Sequence, residues 1–116
     1  MSAELTTHVL DTSSEGPANG VKVTLEKFDE SGNIETVTSG VTNTDGRLED
    51  PLLAGDKIEA GTYQLLFDVS AYYEEQSAAS KFLDTVPVRF VVDDPEENYH
   101  VPLLLSPGGY TTYRGS

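Results

Sequence analysis

The chain has 116 residues, no cysteine, and twenty acidic against seven basic residues, for a net charge of −13. That length fits one domain spanning 1–116 with a single core, and the missing thiols exclude disulfides and thiolate metal sites. So negative a field repels nucleic acid and anionic membranes, making both unexpected partners; the acidity keeps the protein soluble, or else suits a salty interior where counterions screen it.

In chain order, the start "MSAELTTHVLD" lacks the basic head and apolar stretch of an export signal, and no apolar run approaches the roughly 20 residues of a membrane helix. A soluble, unexported, cytoplasmic protein is expected. The same opening supplies a first strand near 4–11. "VKVTLEKF" alternates Val21, Val23 and Leu25 with Lys22, Thr24 and Glu26, the period of a strand with one buried face. "TYQLLFDV" does so with Tyr63, Leu65, Phe67 and Val69, and "VPVRFVV" with Val86, Val88, Phe90 and Val92. Between them "SSEGPANG", "DESGN", "NTDGR" and "SPGG" carry the Gly, Pro, Asn and Asp of chain reversals.

Strands are predicted near 4–11, 21–28, 34–42, 50–54, 62–69, 86–93, 99–105 and 109–114, the fourth being the weakest pattern. The spacing fits an all-β, antiparallel sandwich. "SAYYEEQSAASKF" alone lacks strand alternation, and Ser70 is placed to cap a short helix near 70–77. No repeat or linker divides the chain.

Two histidines, His8 and His100, carry the side chain best suited to proton transfer near neutral pH. In "NYHVPLLLS", Val101, Leu103 and Leu105 share one face, which turns His100 outward together with Leu104. An outward leucine implies that this face is covered too, and another subunit is the expected cover. Taken singly, each histidine also reads as a hydrogen-bonded residue at the rim of a sheet. Arg47, after the turn "TDG", could clamp an oxyanion or pair with one of the many carboxylates. "NTDGR" lacks the repeated acidic ligands of a calcium loop, and "DDPEEN" has no histidine or cysteine partner for a metal. No nucleophile elbow, phosphate loop or zinc spacing is present.

The motifs "LTTHVLDTSSEGPANGVKVTLE", "TNTDGR", "GTYQLLFDVSAYY" and "YHVPLLLSPGGYTTYRGS" resemble the transthyretin-like 5-hydroxyisourate hydrolases of urate degradation over essentially the whole chain. The terminal "YRGS" is the feature by which those hydrolases differ from the hormone carrier of the same fold. The resemblance implies a transthyretin-like eight-stranded sandwich of two four-stranded sheets with one short helix, and a homotetramer with sites between dimers. It implies a cyclic amide hydrolase needing no metal or organic cofactor. On its motifs, His8, Arg47, His100 and Ser116 take the catalytic positions; His8, Arg47 and Tyr113 bind substrate, and Arg114 supports. The rival reading is a non-catalytic small-molecule binding protein on the same scaffold.

Overall fold

The structure, a computed structural model, describes residues 3–75 and 82–115. Among the described residues, nine strands and one α-helix follow in chain order: β1 (Glu4–Asp11), β2 (Gly16–Pro17), β3 (Lys22–Phe28), β4 (Ile34–Val41), β5 (Leu53–Ala54), β6 (Gly61–Asp68), α1 (Val69–Glu75), β7 (Thr85–Val92), β8 (Tyr99–Ser106) and β9 (Gly109–Thr112). They form two sheets. One has the order β2-β1-β8-β9, with β5 also paired to β1; the other runs β4-β3-β6-β7.

The alternation read from the sequence decides which side chains lie between the sheets. Val23 and Leu25 of β3, Leu65 and Phe67 of β6, Val86 of β7, and Leu103 and Leu105 of β8 are almost wholly buried. Burying such side chains is worth about 1.5–3 kcal/mol each, and they supply most of the drive to close the sandwich. Tyr63 joins them, its ring stacked on Phe90 and its hydroxyl bonded to the Glu59 carbonyl at 2.8 Å. β4 is an edge strand with Ile34, Val37 and Val41 exposed.

Some details of the sheets differ from the sequence expectation. The first sheet holds five strands rather than four, because β2 and β5 are two-residue segments pairing with opposite ends of the same edge of β1. Of the stretch predicted as a strand at 50–54, only Leu53–Ala54 pairs. The sandwich is also not wholly antiparallel: β1 runs parallel to β8, with Thr6 opposite His100 and His8 opposite Pro102.

The helix starts one residue early. Its cap is Asp68, whose carboxylate accepts from the Ala71 amide and the Ser70 hydroxyl, so Ser70 lies inside the first turn. The predicted end of the helix at 76–77 lies outside the described residues. Val69, Tyr72 and Tyr73 are its buried face. The Tyr72 hydroxyl reaches across to the Asp11 carboxylate at 2.7 Å and ties the helix to the end of β1. No described helix is long and apolar enough to cross a membrane.

Candidate functional site

β1 buries Leu5, Thr7, Val9 and Asp11, so Thr6, His8 and Leu10 face away from the core. β8 turns His100, Leu104 and Ser106 to the same outer side. The parallel register therefore sets His8 and His100 as diagonal neighbours on the outer face of adjacent strands.

Two further segments complete two rows across this face. His8 pairs with Arg47 on its free side, and His100 pairs with Gly115 of the tail. One row is Pro102, His8 and Arg47; the other is Thr6, His100 and Gly115.

Local chemistry explains why Arg47 arrives there. The Asn43 side-chain oxygen accepts from the amides of Asp45 at 2.9 Å and Arg47 at 3.2 Å, closing an Asx turn. Gly46 then adopts φ +75°, and its carbonyl accepts from the Val9 amide at 2.8 Å. A Cβ at this position would stand 2.3 Å from the Val9 carbonyl oxygen and 3.2 Å from Cδ2 of His8. Only glycine lets the turn lie this close to the strand.

The tail is held in a comparable way. The Gly115 amide donates to the His100 carbonyl at 2.7 Å. Arg114 lies 4.3 Å from the centre of the Tyr99 ring and bonds Glu97 and the Asn98 carbonyl, each at 3.0 Å. Its part is to pin the tail down. Tyr113 is 55% exposed, and its hydroxyl has no hydrogen-bond partner among the described residues. It lines a groove at the open edge of the sandwich with Phe90, Tyr99 and Thr112, and no described contact joins its ring to either histidine. Ser116 lies outside the described residues.

Both imidazoles are half-buried and individually tethered. Nε2 of His8 lies 2.9 Å from the Asp45 carbonyl oxygen, and Nδ1 of His100 lies 2.8 Å from the Thr6 hydroxyl. Burial holds the His100 pKa below its ordinary value of 6.5, helped by the positive charge of Arg47 and by His8. His100 is therefore neutral at pH 7, able to accept a proton at one nitrogen and donate from the other.

The Arg47 side chain is exposed and has no ion-pair partner among the described residues, despite the carboxylates of Asp45, Glu49 and Asp50 close by in sequence. Of the two readings left open for it, pairing with a carboxylate is not the arrangement adopted. The face thus combines two imidazoles with one unspent guanidinium, a set able to activate water and stabilise an oxyanion. No group of three metal-ligating side chains occurs among the described residues. A separate concavity lies elsewhere, among Lys27–Glu30, Asn33–Glu35 and Glu59–Thr62, and contains no histidine.

Four parts of this arrangement escaped the sequence reading: Thr6, the Asp45 carbonyl and the two glycines that touch the histidine rings. The glycines had left a trace, one in each motif beside a predicted site residue. Thr6 had none, because its partnership with His100 depends on the strand register.

Comparison with known proteins places this geometry in context. Residues 5–115 match the model of the HIUase/Transthyretin family. A 5-hydroxyisourate hydrolase of Halalkalibacterium halodurans is 51% identical, with both chains covered in full. Among solved structures, an (S)-allantoin synthase superposes with a TM-score of 0.93 at 41% identity over 99% of this chain, which spans only 44% of that longer protein. Sea bream transthyretin in complex with thyroxine gives 0.89 at 30% identity, with 97% of this chain and 95% of the other covered.

Proposed function

The chain belongs to the HIUase/transthyretin family, and on that premise we propose that it is a hydrolase opening the six-membered ring of 5-hydroxyisourate by cleaving a ring amide. The product is 2-oxo-4-hydroxy-4-carboxy-5-ureidoimidazoline. The observation that carries this reading is the outer-face constellation of His8, His100 and unpaired Arg47, brought together from β1, β8 and the 43–47 turn. A carrier with an apolar channel has no use for such a set.

Water attacks directly. The chain has no cysteine and no nucleophile elbow, so the strongest nucleophile at hand is a water whose proton a neutral histidine removes as its oxygen bonds to the ring carbonyl carbon. General-base help of this kind is worth about 10²–10⁴ in rate. Arg47 offers paired N–H donors to the carbonyl oxygen as negative charge grows there, and one such donor can be worth about 2.7–4 kcal/mol. The carbon–nitrogen bond then breaks, and the departing ring nitrogen takes back the proton removed from water. Tyr113 fixes the substrate, and the role read for Ser116 is to position water or a histidine.

The outer face carries Leu10 and Leu104 half-buried beside the histidines. A second dimer covers it, so the working unit is a homotetramer with sites between dimers. Protein added to 5-hydroxyisourate freshly made from urate should accelerate the loss of its ultraviolet absorbance, and Arg47→Lys, which keeps the charge but loses the fork, should be severely impaired. A decay no faster than the spontaneous one favours the carrier reading instead.

A further inference from the structure

The two imidazoles are held by partners of different chemistry. A carbonyl oxygen can only accept, so the 2.9 Å contact from Nε2 of His8 to the Asp45 carbonyl requires a proton on that nitrogen. Neutral His8 then carries its lone pair on Nδ1. The ring edge formed by Nε2 and Cδ2 faces Asp45 and Gly46, leaving the Nδ1 edge turned away from the turn.

His100 is held from both sides. Its Nδ1 lies 2.8 Å from the Thr6 hydroxyl, and its Cβ, Cγ and Cδ2 lie against Gly115. Among the described residues the Thr6 hydroxyl has no other hydrogen-bond partner, so its proton is available to Nδ1. A threonine at position 6 is placed for this by the register alone, directly opposite His100 across the parallel pair.

We propose that Thr6 is a positioning residue, whose hydroxyl donates to Nδ1 of His100 and holds that imidazole as the tautomer carrying its proton on Nε2. The inference rests on the hydrolase reading above and divides the work of the two histidines. His8, with its free lone pair, takes the proton of the attacking water at Nδ1 and returns it to the departing nitrogen. His100 keeps its own proton throughout and donates a hydrogen bond from Nε2 to the substrate oxygen, beside Arg47. No imidazolate forms, and the proton count closes on His8 alone.

The charged or titratable groups acting on that ring are Arg47 of the 43–47 turn and His8 of β1; on the tail, the Arg114 guanidinium is engaged with Glu97 and Asn98. None of these changes in Thr6→Val, which keeps the shape and removes the hydroxyl.

The test combines nitrogen NMR of the histidine rings with kinetics. In the ¹⁵N-labelled wild-type protein without substrate, His100 shows a bare Nδ1 and a protonated Nε2. Thr6→Val lowers kcat by about 10–100-fold, the range typical of lost partners that orient a histidine, with KM nearly unchanged. Thr6→Ser restores kcat. A protonated Nδ1 in the wild-type protein overturns the proposal, as does a Thr6→Val enzyme with the wild-type rate, or a Thr6→Ser enzyme no better than Thr6→Val. If Thr6→Val does not fold, the wild-type spectrum and Thr6→Ser decide. A wild-type protein that fails to accelerate the reaction defeats the hydrolase reading, while the spectrum still decides the Thr6–His100 bond.

Discussion

The amide of Gly115 donates to the carbonyl of His100 at 2.7 Å, and a Cβ at position 115 would lie 2.6 Å from Cδ2 of that imidazole. The tail and the ring are thus in contact with no room for one more carbon. Gly115→Ala must move the ring or lift the tail, and displacements near 1 Å can cost about 10²-fold in rate. Its kcat is expected to fall by roughly that factor, while Tm changes by only a few degrees because Gly115 lies at the margin of the fold. Steady-state kinetics and calorimetry on one preparation check both halves.

Gly46 differs because its neighbour is backbone. Gly46→Ala places Cβ 2.3 Å from the Val9 carbonyl oxygen at φ +75°, which penalises contact and conformation together. Strained backbone of this kind costs about 1–3 kcal/mol, so the urea midpoint should drop clearly. Activity should fall as well, since the turn carries Arg47 and the Asp45 carbonyl that holds His8.

Acid should loosen the link between helix and sheet. Burial opposes ionisation of Asp11, but hydrogen bonds from Ser13, Tyr72 and Ser14 outweigh it and hold the carboxyl below its ordinary 3.8. A folded-state pKa below the unfolded one means that the stabilisation is fully present above about pH 4 and is lost as pH falls through the folded value. Tyr72→Phe removes one of these bonds and should cost about 1–3 kcal/mol at pH 7. The gap from the wild-type protein should narrow below pH 3.8, which denaturant melts at the two pH values would show.

The strand faces were legible because a two-residue period needs no partner to be read. Val23, Leu65, Val86 and Leu103 are buried where the alternation puts them, and the outward turn of His100 followed from the same parity. Pairing was not legible. Nothing within β1 or β8 tells that they run parallel, and on that depend both the diagonal placement of His8 against His100 and the Thr6 contact. β2 escaped, and β5 was legible only as the weak stretch 50–54, because two residues carry no period and their pairing is set by the edge of β1 they meet. The helix cap moved from Ser70 to Asp68 because a strand flows directly into the helix, and Asp68 is the last residue of that strand. Arg47 was legible as a turn-borne cation, whereas its lack of an ion pair depends on where the neighbouring carboxylates point.

The central claim is that His8, Arg47 and His100 act as one catalytic unit on 5-hydroxyisourate. Its most direct test is kcat/KM for the wild-type enzyme, His8→Ala, His100→Ala and the double variant, measured on freshly generated substrate with folding verified by circular dichroism. Groups acting as a unit are strongly non-additive. Each single variant should lose about 10²-fold or more, and the double variant should be little worse than the poorer single one. A single variant with near-wild-type kcat/KM, or losses that multiply fully in the double variant, would contradict the account.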